Sequence, residues 1–161
     1  MLRHVAAFLL IGTVSALPRT LAAQGPEKLD VRWSSDLYFG RLLPGLMTTV
    51  SPLDPGAATF EIYGIKGTEI SLEWLLPMDL VGESSGALLP VTFGSMSAAY
   101  SSTNLAVDAL LFDPALPVNA FIDEREKALV WIGGTVTPPF GGAADRYSAP
   151  ITLIVSVVSN E

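Results

Sequence analysis

The stretch TFEIYGIKGTEISLEW, residues 59–74, decides the fold class of this chain. Apolar and polar side chains alternate on both sides of its Gly-Ile-Lys-Gly segment, with Phe60 and Ile62 before it and Leu72 and Trp74 after it. Successive side chains of a strand point to opposite sides, so alternation with a period of two is typical of a strand with one buried face. The stretch therefore predicts two strands, with Trp74 in the core.

Similar short apolar runs recur along the chain, and no segment sustains the spacing of an amphipathic helix. Further strands are predicted at Leu29–Trp33, Leu46–Val50, Leu89–Phe93, Leu105–Phe112, Ala128–Val136 and Pro150–Val158. By the same parity, Trp33 and Trp131 are expected in the core. About eight short strands predict an all-β fold, an antiparallel sandwich of two sheets.

Turn residues separate these runs. Asp54-Pro55-Gly56 is a turn by its chemistry, because proline presets φ and glycine tolerates a positive φ. Gly64 and Gly67 bracket the connection within the stretch quoted above. We expect a hairpin at both places. Residues 138–142, Pro-Pro-Phe-Gly-Gly, cannot join a ladder and predict a longer loop that carries Asp145 and Arg146.

The first 23 residues have the pattern of a secretory signal peptide. Arg3 and His4 precede an apolar run of about 13 residues, shorter than the roughly 20 that cross a bilayer. Small residues at Ala22 and Ala23 favour cleavage before Gln24. We therefore expect residues 24–161 to form one exported β-sandwich domain, with periplasm, cell surface and medium all open as destinations.

Cleavage there would also remove His4, the only histidine, from a chain that has no cysteine. Nucleophilic triads and soft-metal sites depend on those side chains, so we predict no catalytic activity, no cofactor and no metal. Residues 24–161 carry seven basic and sixteen acidic side chains, a net charge of about −9. That charge repels nucleic acid and anionic membranes.

Five stretches resemble, in order, the landmarks of the bacterial domain of unknown function 4402 family. They are residues 36–45, DLYFGRLLPG; 49–52, TVSP; 60–64, FEIYG; 132–136, IGGTV; and 146–153, RYSAPITL. The resemblance implies an exported, Ig-like β-sandwich without an established activity. The residues of these stretches also have a structural interpretation of their own. Phe39 is expected to fill one end of the core, Gly40 to allow a close turn, and Gly133 and Gly134 to permit a bulge or a close approach between sheets.

One acidic segment and three scattered tyrosines are candidates for binding sites. Asp123–Lys127 holds three acidic residues but lacks the glycine and spacing of a calcium loop, so a solvated turn is predicted and a calcium site is the alternative. Tyr63, Tyr100 and Tyr147 are the aromatic candidates for stacking on sugar rings. They support the alternative of a carbohydrate-binding or adhesin module.

The last strand gives the leading hypothesis. Ile151, Leu153, Val155 and Val157 form one apolar face, while Ile154 and Val158 lie on the other, so the strand is apolar on both sides. The strand should complete the fold within its own chain. If it also lies at a sheet edge, it offers a surface for self-association or surface assembly. We therefore predict an exported structural or interaction domain.

The exported protein should begin at Gln24 or Ala23 when its intact mass is measured, because the apolar run is short and the small residues lie directly after it. A membrane-retained product that still carries Met1 would contradict the signal peptide.

Overall fold

The computed structural model describes residues 29–123 and 125–158. The fold is all-β, with thirteen short strands and one 3₁₀ turn, Ala106–Asp108, in that part of the chain. The strands are β1 Asp30–Ser35, β2 Thr48–Val50, β3 Ala58–Tyr63, β4 Glu69–Leu75, β5 Asp79–Gly82, β6 Leu88–Thr92, β7 Ala98–Ser101, β8 Leu110–Phe112, β9 Val118–Phe121, β10 Lys127–Ile132, β11 Gly134–Val136, β12 Tyr147–Ser148 and β13 Thr152–Val157.

The strands form antiparallel sheets in a sandwich-like arrangement. A five-stranded sheet has the order β1-β3-β10-β7-β8, and a three-stranded sheet has the order β13-β4-β9. A second five-stranded sheet has the order β12-β5-β6-β11-β2. The predicted all-β sandwich is confirmed.

The main core contains the inward faces of the β1-β3-β10-β7-β8 sheet and the three-stranded sheet. Phe60 and Ile62 of β3 are buried there with Ile70 and Leu72 of β4, as the alternation predicts. Leu153 and Val155 of β13 are also buried in this core. The C-terminal strand therefore supplies part of the core of its own chain.

A second, smaller apolar cluster lies beside the main core. Its buried members are Leu80, Leu89, Val91, Val136 and Ala149. The rings of Phe39 and Phe93 pack against both clusters, so Phe39 does lie at one end of the main core. The two clusters are joined at these rings.

The strand prediction for Ala128–Val136 is confirmed, but a bend at Gly133 divides it. β10 pairs in the sheet of the main core, whereas β11 pairs with β2 and β6 in another sheet. A Cβ atom on Gly133 would collide with the backbone of Val50 and Ser51, so only glycine fits this close approach.

Both expected hairpins are wrong. The Asp54-Pro55-Gly56 turn forms, with the Ala57 N–H donating to the Asp54 carbonyl, but it leads from β2 to β3, which lie in different sheets. The segment between Gly64 and Gly67 likewise leads from β3 to β4, in different sheets. β2 and β3 pair antiparallel with β11 and β10, the two halves of one bent strand, so the first turn interrupts this pairing without reversing the chain. The second turn carries the chain from one sheet of the main core to the other.

The core positions predicted for two tryptophans are also wrong. Trp33 is 49% exposed although it pairs with Phe60, which is 1% exposed, because β1 is the outermost strand of a sheet wider than the three-stranded sheet opposite. Trp131 lies on the outer face of β10, whose inward residues are Ala128, Val130 and Ile132. In an apolar run, the alternation defines two faces of the strand, but it does not indicate which face is buried.

The structure also contains four strands absent from the prediction, β5, β7, β9 and β12. Each is at most four residues long, too short to establish an alternating pattern. The expected signal peptide, residues 1–23, lies outside the described residues. Within the described ranges, no helix has the length and apolar character to cross a membrane.

Replacing Trp74 with alanine should lower the free energy of unfolding by about 3 to 5 kcal/mol, as other large-to-small core changes do. Its ring meets Phe60 edge-on, with 5.5 Å between ring centroids. Glu73, the exposed neighbour on the opposite face, is the control, and Glu73→Ala should cost less than about 1 kcal/mol. Urea unfolding measures both changes in the free energy of unfolding. Two equally small losses would contradict the placement of Trp74 on the inward face of β4.

Candidate functional site

Tyr63 lies in a network of charged side chains at the end of β3. Its hydroxyl donates to Glu61 Oε2 (2.7 Å), and Lys127 Nζ donates to Glu61 Oε1 (2.7 Å). These two donors hold the pKa of Glu61 below its ordinary value, with Lys127 the larger cause. The Arg32 guanidinium lies 4.7 Å from the centre of the Tyr63 ring. The ring face and the hydroxyl of Tyr63 therefore already have partners within the protein.

The other two candidate tyrosines lie elsewhere. Tyr100 packs against the main core, with its ring edge-on to Phe112 at 6.2 Å between centroids. The Tyr147 hydroxyl donates to the Ala143 carbonyl (2.9 Å), and its ring packs against the second cluster. The structure therefore does not bring the three tyrosines together on one surface.

The Asp123–Lys127 segment forms a turn. Asp123 Oδ1 accepts the N–H of Arg125 (2.8 Å), and Lys127 points to Glu61. Glu124 lies outside the described residues. Among residues 29–123 and 125–158, no group of three or more His, Cys, Asp or Glu side chains could hold a metal ion.

β13 lies at the edge of the three-stranded sheet, as the leading hypothesis requires. The Val158 N–H donates to the Glu69 carbonyl of the neighbouring strand β4 (2.9 Å). Backbone groups of alternate residues in an antiparallel strand point to alternate sides. The N–H and C=O groups of Leu153, Val155 and Val157 therefore point to the side of β13 where the described part of the chain places no strand.

The five other sheet edges have features that discourage strand addition. β2, β8 and β12 are three residues or shorter, and β9 has four residues and follows Pro117. β1 is as long as β13, but it carries an Asp30–Arg32 ion pair and an irregular register between Trp33 and Ser35. β13 has six residues without a charge, a proline or a register shift.

A cleft of about 1180 Å³ is the second candidate site. It lies between residues 37–44, strands β5 and β6, and the loop of residues 138–147. Its floor is formed by the second cluster, with the buried Leu80 and Leu89 and the partly buried ring of Phe93. The side chains of Arg41 and Arg146 line its rim and are exposed.

Asp145 fixes the loop of the cleft to the turn between β5 and β6. Its Oδ2 accepts the hydroxyl of Ser85 (2.7 Å) and the N–H groups of Ser85 (2.7 Å) and Ser84 (3.0 Å). These hydrogen bonds, the Ser85 hydroxyl first, hold the pKa of Asp145 well below its usual range. The loop is also tied at its other end, where the Gly45 N–H donates to the Pro138 carbonyl (2.7 Å).

Sequence reasoning missed most of this cleft. Tyr38, which is 68% exposed, and Arg41 line it, and neither was singled out as a candidate. Residues 37–45 form no strand, so periodicity carries no information about which of their side chains face a ligand. The one available signal was the excess of Gly and Pro in two separate loops, which predicts irregular backbone but not its position in space.

No protein-family model matches this chain, and no curated protein matches it at a significant level. The resemblance to the domain of unknown function 4402 family therefore stays a prediction. The fold and these two surfaces define an all-β sandwich domain with an open edge strand and an apolar cleft.

Replacing Asp145 with asparagine should lower the melting temperature at pH 6, because an amide cannot accept the same set of donors as an ionised carboxylate. A carboxyl whose pKa is lowered by folding stabilises the fold above its unfolded pKa of about 3.9. That contribution declines as the pH falls from there towards the folded-state pKa. The difference from the wild type should therefore narrow between pH 6 and pH 2.5.

Glu83→Gln is the charge-matched control, since Glu83 lies in the same turn and its side chain makes no hydrogen bond within the described ranges. Thermal melts at both pH values measure the effect. If Glu83→Gln and Asp145→Asn behave alike, Asp145 does not hold the loop.

Proposed function

We propose that this chain is an exported, non-catalytic structural domain that assembles with other copies of itself through the open edge of β13. The single observation that carries the proposal is that edge: a six-residue uncharged strand with four apolar side chains and with unpaired backbone groups on one side among the described residues. The short apolar N-terminal run supports export. The family resemblance supports the same reading.

Strand addition suits this edge for a physical reason. A second strand laid against β13 would pair with the N–H and C=O groups of Leu153, Val155 and Val157, and main-chain hydrogen bonds supply affinity in this mode of binding. Ile154, half-buried on the outer face, and the exposed Leu75 opposite Thr152 add apolar surface beside it. A pair of β13 strands related by a two-fold axis would use the same residues on both chains.

The alternative of a glycan-binding module is less well supported. It rests on Tyr63, Tyr100 and Tyr147, which lie apart, and each is engaged by neighbouring groups of the protein. The geometry therefore favours assembly through β13.

Val157→Pro should weaken self-association at least tenfold while leaving the fold intact. The Val157 N–H points to the open edge, so proline removes no bond between β13 and β4, and edge strands tolerate proline. The side chain is 40% exposed, so little packing is lost. Sedimentation equilibrium of the mature protein over a range of concentrations measures the association, and a thermal melt checks the fold.

Val157→Thr keeps both the N–H and the side-chain shape and is the matched control, so it should associate like the wild type. A wild-type protein that stays monomeric at every concentration would overturn the proposal. Equal association by Val157→Pro would place the interface somewhere other than this edge.

A further inference from the structure

The cleft over the second cluster is a candidate ligand site, and the proposed pairing along the open edge of β13 does not use it. Its volume, about 1180 Å³, is slightly above the range of pockets that bind small organic molecules, roughly 300–1,000 Å³. Its walls are tied in place at two points, by Asp145 on the β5–β6 turn and by the Gly45–Pro138 hydrogen bond. A site held open in this way loses little freedom when a ligand enters.

The floor of the cleft selects against strongly hydrated ligands. Leu80, Leu89, Val91 and Phe93 line it, and Ala149 and Ile151 continue the apolar surface. These side chains offer no hydrogen bond to replace the water that a sugar hydroxyl would lose. An apolar chain or ring, in contrast, gains free energy by leaving water at such a surface.

The rim carries the opposite chemistry. Arg41 and Arg146 form no side-chain ion pair or hydrogen bond within the described part of the chain, whereas Arg32 is paired with Asp30 and Lys127 with Glu61. Both free guanidinium groups therefore line the same cleft of a chain whose net charge is −7. Asp145, the acid beside them, already accepts hydrogen bonds on both of its oxygens.

We propose that this cleft binds a small amphipathic carboxylate from solution, with its apolar body on the Leu80, Leu89 and Phe93 floor and its carboxylate at Arg41 and Arg146. Arginine pairs with carboxylates through two parallel hydrogen bonds, which a neutral head group cannot match. Both arginines are exposed, so water solvates them until the ligand arrives. Tyr38, exposed at the same cleft, offers an aromatic ring to cover the apolar body.

The test uses dodecanoate as the probe, below its micelle concentration, with dodecanol as the neutral partner of equal chain length. Calorimetric titration of the mature protein should detect dodecanoate binding at least tenfold tighter than dodecanol binding. Amide shifts in NMR spectra should concentrate at residues 37–44, β5, β6 and 138–147. This comparison needs no variant, so it does not depend on a variant that folds.

A double variant, Arg41→Gln with Arg146→Gln, should lose that preference and bind the two probes alike. Arg32→Gln removes one positive charge away from the cleft and should keep the preference. Leu88→Asp places a carboxylate on a residue of the cleft wall that is 61% exposed. It should weaken dodecanoate binding at least tenfold, because the two negative charges repel each other. Val157→Pro, the edge variant, should bind dodecanoate like the wild type, which separates this site from assembly.

Several results would overturn the proposal. Equal binding of dodecanoate and dodecanol by the wild type would show that the arginines do not bind the carboxylate. Shifts centred outside the cleft would place the ligand elsewhere. Preferential binding to phosphatidylglycerol vesicles would make a bilayer the ligand, and binding of a neutral oligosaccharide in the cleft in place of dodecanoate would make it a sugar site.

Discussion

The structure depends on the close packing of the chain around Gly133 and Gly134. At Gly133 the backbone lies against Val50 and Ser51, where no side chain fits. At Gly134 the rings of Phe39 and Phe93 lie directly over the backbone. This allows one run of residues to belong to two sheets, since β10 closes the main core and β11 continues into the sheet behind the cleft. The sandwich and the second cluster therefore share a single bent strand.

Alternation in the sequence predicted the inward faces of β3, β4 and β13, because each has one apolar and one largely polar face. It failed for β10, where Leu129 and Trp131 are as apolar as the buried Val130 and Ile132. It also failed at Trp33, because parity says nothing about whether a strand lies under the opposing sheet or beyond its margin. The turns were recognised, but local turn chemistry does not determine which sheet the next strand enters.

The two candidate surfaces differ in how much the sequence could say about them. The β13 surface follows from one continuous run, Ile151 to Val158, so its apolar character was visible and only its place at an edge had to come from the fold. The cleft is made of three segments that are far apart in the sequence. Arg41 and Arg146 line the same cleft although they are far apart in the sequence, and composition alone does not predict this placement.

The rings of Phe39 and Phe93, which both clusters share, mark the boundary between two parts of the molecule that differ in packing. The main core is closed by two sheets, whereas the second cluster has the cleft on one side and is joined to the core through Phe39, Phe93 and the bend at Gly133. Regions with fewer buried contacts open at lower free energy than the core they adjoin. The protein thus combines a large core with a smaller cluster that opens at lower free energy, so partial unfolding should begin at the second cluster and leave the sandwich intact.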